Sequence, residues 1–242
     1  MRYLPLSRLA ACVLSLLFFA ATACEKPAGD AAPAPVPTPP PGTALKTYLA
    51  LGDSYTIGQG VAPEERFPYL AVAALQAQGV ALGMPQYIAT TGWTSANLQS
   101  AIGAQPPQGT FDVVSLLIGV NDQYQGVDTG FYRTRFTQLL AKAVELAAGR
   151  PSHVFVLSIP DYSATPFVSA SQKPRVSREI GWFNAINKEV TLQQGIPYID
   201  ITPLTREAAT DPTLLAPDGL HYSGKEHQKW ASLLAPAVKA VL

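Results

Sequence analysis

Five runs of apolar, β-branched and aromatic residues recur along the chain: "TYLALG" at 47–52, "QYIAT" at 86–90, "DVVSLLIG" at 112–119, "HVFVLSI" at 153–159 and "PYIDI" at 197–201. Several are nearly continuous in apolar character rather than alternating. A strand with one wet face alternates, whereas a strand covered on both faces does not. The runs therefore predict a parallel sheet buried between two layers. Between them the period becomes helical. In "FYRTRFTQLLAKAVELAAG" the residues Phe136, Leu139, Leu140, Ala143, Val144 and Ala147 follow i, i+3, i+4, i+7 spacing, and Gly149 can end the helix. Further helices are expected over 67–78, 94–102, 177–194 and 224–242, with Pro236 interrupting or kinking the last. Strand alternating with helix means βαβ units and right-handed crossovers. The expected fold class is α/β, a three-layer α/β/α sandwich around a parallel five-stranded sheet.

The ends of the chain's elements then matter most, because ligands of such sheets sit outside the carboxyl ends of the strands. Asp53-Ser54 follows the first run, Thr91-Gly92-Trp93 the second, Val120-Asn121-Asp122 the third and Pro160-Asp161 the fourth. The fifth is followed by a connection ending in "PDGLHYSG", ahead of the last helix. This topology collects Ser54, Gly92, Asn121 and His221 on one rim.

Composition narrows the setting. The chain has 242 residues, 48% hydrophobic, which suits one well-buried domain. Without the first 23 residues, 15 basic residues face 17 acidic ones, so no charge excess favours nucleic acid as a partner. "MRYLPLSRLA" and the apolar "ACVLSLLFFAATA" read as an export signal over 1–23. Small residues directly before Cys24 resemble the bacterial lipoprotein signal, which implies lipidation of Cys24. The alternative is an ordinary cleavable signal or a membrane anchor. Cys12 and Cys24 are the only cysteines, so the mature domain has no internal disulfide to form. Seven prolines between Pro27 and Pro41 exclude helix. At ~3.1 Å per residue, residues 26–42 make a semi-rigid spacer of about 50 Å within a linker over 24–43. The folded domain is expected over 44–242, held by a lipid anchor at the surface of a bacterial cell envelope. Glu25 after Cys24 permits outer-membrane sorting. A monomer is favoured.

The rim carries candidate chemistry. A serine hydroxyl needs a base, usually a histidine oriented by a carboxylate. His153 starts a strand at the far edge from the rim and reads as structural or solvated. His227, among Lys225, Glu226, Gln228 and Lys229, reads as solvated on a surface helix. His221 follows a Pro-Asp-Gly turn with Asp218 three residues earlier, a spacing that can fold the carboxylate back onto the imidazole. An aspartate near a histidine in a turn is common, so this pair alone is weak evidence. An acyl-transfer oxyanion also needs donors. Ser54 at a strand-to-helix turn can offer its own N–H, Gly92 another, and Asn121 a neutral side-chain amide. Each also has a plain reading as a turn residue.

"LGDSYTIGQG", "TTGWTSANL", "LLIGVNDQY" and "PDGLHYSG" resemble, in order, the four blocks of the SGNH, or GDSL, serine hydrolases. The resemblance spans roughly 47–232 and implies a flavodoxin-like fold. It also implies roles: Ser54 as nucleophile and oxyanion donor, Gly92 and Asn121 as the other oxyanion donors, His221 as base and Asp218 as its orienting acid. Asp53 is the runner-up carboxylate, better suited to holding the turn. Tyr55 stands where the family name has Leu, and Tyr222 where Pro is frequent. The family uses no metal or cofactor, and no metal-ligand spacing appears in the sequence. The implied activity is hydrolysis of small carboxylic esters through an acyl-enzyme. A carbohydrate O-deacetylase and a non-catalytic surface binding protein are the alternatives. Around the rim lie Tyr55, Trp93, Tyr124, Phe131, Tyr132, Tyr162, Phe167 and Trp182. Trp93 is expected in the pocket and Trp182 in the core.

Overall fold

The computed structural model describes residues 44–242. The signal segment 1–23, Cys24 with its lipidation, and the spacer to residue 43 lie outside the described residues. In chain order the elements begin with β1 (Tyr48–Gly52), α1 (Ser54–Ile57), α2 (Phe67–Gln76), β2 (Gln86–Ala89) and α3 (Ser95–Ala104). Next come β3 (Val113–Leu117), α4 (Val120–Tyr124), α5 (Thr129–Leu146), β4 (Val154–Leu157) and α6 (Lys173–Gln193). β5 (Tyr198–Ile199), α7 (Thr202–Thr205) and α8 (Gly224–Lys239) complete the chain.

The sheet order is β2-β1-β3-β4-β5, and every neighbouring pair is parallel. This is the flavodoxin-like order, whose switch point lies between β1 and β3. Helices α2 and α8 pack on each other in one layer, and α3, α5 and α6 pack in series in the other. Every residue of β1, β3 and β4 is buried. That burial on both faces explains their unbroken apolar character. Edge strand β2 is exposed at its start and shows a mixed pattern.

Register positions the rim. Gly52 pairs with Ala89 on one side and with Leu117 on the other. The three strands therefore end level, and the residues just beyond them emerge side by side. Gly52 has a steric reason to lack a side chain: a Cβ there would run into Thr56 and the Leu117 carbonyl.

Helix α8 departs from expectation in two ways. It runs without interruption to Lys239, with Pro236 inside it. Proline removes the bond to the carbonyl four residues back. Here Ser232 and Pro236 are both exposed, so water can take that carbonyl, while Trp230, Leu234 and Val238 hold the buried face. The second departure corrects the reading of His227, which is buried rather than solvated. Its Nδ1 accepts the Phe67 backbone N–H at 3.2 Å, and its ring stacks on Phe67 and lies against Trp230. Phe67 begins α2, where backbone donors lack intrahelical acceptors, so the imidazole caps that helix. Glu226 is buried as well, accepting from Trp230 Nε1 at 2.9 Å and pairing with Lys229.

Burial pushes the His227 imidazole down to about 3 from its usual 6.5, with further lowering from His221 and Arg66. Between those values the unfolded chain binds the proton and the folded chain does not. Stability is therefore lost as pH falls from 6.5 towards 3, with a limiting slope of ~1.4 kcal/mol per pH unit from this group. Thermal melts from pH 8 to pH 4 should show a shallower acid loss for His227→Gln than for the wild type. Parallel curves would contradict it.

Candidate active site

Ser54 opens α1, directly beyond β1. Asp53 caps this short helix, its Oδ1 accepting the Tyr55 N–H at 3.0 Å. Asp53 is fully buried, and its Oδ2 has no partner among the described residues. Burial drives the Asp53 carboxyl up to about 8, opposed by the Tyr55 N–H and reinforced by the charge of Asp122. A neutral acid holding the turn fits this position better than a charged orienter of a base. The Ser54 N–H stands in the first helical turn, where a backbone donor has no intrahelical acceptor.

His221 reaches Ser54 from the loop before α8. Its Nε2 lies 2.9 Å from Ser54 Oγ, and its Nδ1 lies 2.6 Å from Asp218 Oδ2. The other carboxylate oxygen of Asp218 accepts the backbone N–H of Leu220 and of His221, each at 2.9 Å. One residue thus folds the turn and holds the ring. A carboxylate only accepts, so Nδ1 carries the hydrogen and Nε2 is free to accept from the Ser54 hydroxyl. Burial pushes the Asp218 carboxyl up, but bonds from His221 and the two backbone N–H groups outweigh this and hold it below its usual range. The loop is closed by an antiparallel bridge between Leu215 and Tyr222. Tyr222 is buried, and its hydroxyl donates towards the carbonyls of Asp161 and Thr205. The Tyr55 ring lies 5.5 Å from that of His221 and packs on Tyr222 and Trp230. Tyr55 thus lies against the imidazole and is itself backed by Tyr222.

Gly92 lies in the turn after β2 with φ +81°, a left-handed conformation that favours glycine. It is exposed, and open space lies where a Cβ would stand. Asn121 sits in the first turn of α4, not in an irregular turn. Its Nδ2 donates to the Trp93 carbonyl at 3.0 Å, leaving a second amide hydrogen for the pocket it lines. The neighbouring Asp122 is buried and accepts from Ser95 N at 2.7 Å and Ser95 Oγ at 2.6 Å. These bonds tie the Gly92 turn and the start of α3 to α4. Sequence reading missed the Ser95–Asp122 clasp, because each partner is an ordinary polar residue until the strands align.

A pocket of about 180 Å³ opens on this constellation, lined by Ser54, Asn121 and His221 together with Val120, Leu220 and Tyr55. Tyr124, Tyr162 and Phe167 complete its wall as a cluster of rings 6.4–6.5 Å apart. Two aromatic expectations need correction. Trp93 is half-buried against the core rather than lining this pocket, and Trp182 is 53% exposed rather than core. Of the remaining rings, Tyr132 is core and Phe131 is exposed.

A serine, an imidazole and a carboxylate thus stand in hydrogen-bonded series at the switch point of a parallel α/β sheet, an arrangement that can activate a serine hydroxyl. Residues 50–229 match the model of the GDSL-like lipase/acylhydrolase family, and the chain belongs to that family. It is a carboxylic-ester hydrolase. Comparison with curated proteins finds no match. Among solved structures it is similar to TesA, with 19% identity over 81% of this chain and 100% of that one, TM-score 0.65. It is also similar to phospholipase A1 from Streptomyces albidoflavus, with 16% identity over 82% of this chain and 100% of that one, TM-score 0.61. A third is a variant of Axe2, an acetyl-xylooligosaccharide esterase from Geobacillus, with 19% identity over 81% of this chain and 93% of that one, TM-score 0.59. Likeness at these identities concerns the fold.

Proposed function

We propose that the chain hydrolyses esters of small acyl groups, with Ser54 as nucleophile, His221 as base and Asp218 as the residue that orients the base. The observation that carries this reading is the unbroken series from Ser54 Oγ to His221 Nε2 (2.9 Å) and from Nδ1 to Asp218 Oδ2 (2.6 Å). His221 takes the hydroxyl proton as Ser54 Oγ attacks the ester carbonyl. Asp218 stabilises the imidazolium that results. The oxyanion is met by Ser54 N–H, Gly92 N–H and the free amide hydrogen of Asn121. His221 gives its proton to the departing alcohol as the tetrahedral intermediate collapses. Water, deprotonated by the same ring, then attacks the acyl-enzyme, and His221 returns that proton to Ser54 Oγ as the acid leaves.

The pocket of about 180 Å³ favours short acyl chains over long ones. Across p-nitrophenyl esters, kcat/KM should be highest for acetyl and butyryl and lower for decanoyl and longer. A profile rising towards long chains would reject the small-acyl reading. A second reading, deacetylation of carbohydrates, is supported by the small pocket, the aromatic rings at its wall and the similarity to an acetyl-xylooligosaccharide esterase.

A further inference from the structure

A second cleft adjoins the active-site pocket. It measures about 320 Å³ and shares Tyr124 with the first. That volume lies within the range of about 300–1,000 Å³ typical of small-molecule sites. One wall is a face of α6, where Arg175, Glu179, Trp182 and Phe183 follow i, i+4, i+7, i+8 spacing. The other is built by Gln123, Tyr124 and the turn leading into α5.

A polar chain links the two cavities. The Tyr162 hydroxyl, from the wall of the first, donates to Gln123 Oε1 at 2.8 Å. Gln123 Nε2 donates to Glu179 Oε2 at 2.8 Å, in the wall of the second. Gln123 is 95% buried by its 5% exposure, so its amide is committed to bridging the sites. Arg175 bonds both oxygens of Glu179 through Nη1 alone, which leaves Nε and Nη2 without a protein acceptor among the described residues. Trp182 is held with the Arg178 guanidinium 5.7 Å from its ring centre, and the ring remains half exposed beside this polar wall.

We propose that this cleft is a subsite for the alcohol part of the substrate, and that the alcohol is a saccharide. A sugar ring has an apolar C–H face for Trp182 and Tyr124 and a hydroxyl rim for Arg175 and Glu179. A long acyl chain in the same cleft would desolvate the guanidinium and the carboxylate without replacing their hydrogen bonds. The acyl group then occupies the smaller pocket at Ser54, and the saccharide extends across Tyr124. This assignment rests on the proposed ester hydrolysis at Ser54, but the binding itself does not require turnover.

The test therefore has a binding arm and a turnover arm. Unacetylated xylo-oligosaccharide is titrated into wild type and Trp182→Ala while tryptophan fluorescence is followed. The expected result is a saturable change in wild type that is lost in the variant. In the turnover arm, the ratio of kcat/KM for acetylated xylo-oligosaccharide to that for p-nitrophenyl acetate should fall about tenfold in Trp182→Ala. An aromatic contact of about 1.4 kcal/mol corresponds to that factor. Trp182 is exposed, so its removal should leave the melting temperature near that of wild type. Absence of a saturable response, its persistence in the variant, or an unchanged ratio would overturn the subsite. So would a Trp182-dependent response to phosphatidylcholine vesicles in place of the sugar. Sugar binding without p-nitrophenyl acetate hydrolysis would instead reject the ester chemistry and leave the cleft as a saccharide-binding site alone.

Discussion

Ser54→Ala is expected to lower kcat for p-nitrophenyl acetate by on the order of 10⁴- to 10⁶-fold while the protein stays folded. The substitution removes a single hydroxyl. In the folded chain Ser54 Oγ bonds only the His221 ring among the described residues, so its loss leaves the Asp218 turn and the packing of Tyr55 in place. The stability change should be no more than about 1 kcal/mol, the net contribution of one hydrogen bond. A variant that melts like the wild type but is inert separates chemistry from folding. Near wild-type turnover by purified Ser54→Ala would contradict the assignment.

Asp218→Asn should have the next largest effect, a loss in kcat of about 10³- to 10⁴-fold. Asparagine keeps an oxygen able to accept from Leu220 and His221 N–H, so the turn can persist. Where Asp218 Oδ2 now accepts from Nδ1, an amide N–H donor faces the ring instead. The imidazole then favours the tautomer with its hydrogen on Nε2, pointing at Ser54, and cannot take the serine proton. The variant should also lose stability at pH 7. The Asp218 carboxyl lies below its usual range in the folded chain, so its contribution is present above the unfolded value near 4 and lost as pH falls through the folded one. The stability difference between Asp218→Asn and wild type should therefore narrow in acid. A deficit in activity without any change in its pH-stability profile would contradict the role given to the charged form.

The sheet was legible because its strands are covered on both faces. Burial on both sides of β1, β3 and β4 leaves continuous apolar runs that no exposed loop would keep. Once the strands are parallel and level, the residues after each run share a rim, so Ser54, Gly92, Asn121 and His221 could be grouped before any geometry was known, and of these Ser54, Asn121 and His221 line the pocket. The short helices α4 and α7 were not legible, and of α1 only its start at Ser54 was. Four or five residues make too little of a period to read, and tertiary contacts decide their form. His227 and Trp182 were misread for one common reason: local composition was weighed above helical phase. His227 has charged neighbours in sequence, yet it shares a face with Trp230, Ala231 and Leu234, all buried. Trp182 is apolar, yet it falls off the buried stripe of Val176, Ile180, Phe183 and Asn187 and onto the side of Arg175 and Arg178. The spacing in each helix carried the correct answer.

The Tyr124–Gln123–Tyr162 junction could not be read from sequence, because its members come from α4 and from the loop after β4. Their meeting depends on the same strand register that brings Ser54 and Asn121 to one rim. Asp53 is similar. Beside a serine it invites a role in proton transfer, but complete burial and its bond to Tyr55 N–H make it the cap of α1.

In the proposed reaction Ser54 Oγ attacks the electrophilic centre with His221 as its base. The most direct measurement is treatment of the intact protein with a fluorophosphonate, followed by mass spectrometry of its peptides. One phosphonyl group is expected, carried by the peptide containing Ser54, absent from Ser54→Ala and formed far more slowly in His221→Ala. Labelling at another residue, or none at Ser54 in a protein that hydrolyses p-nitrophenyl acetate, would contradict it.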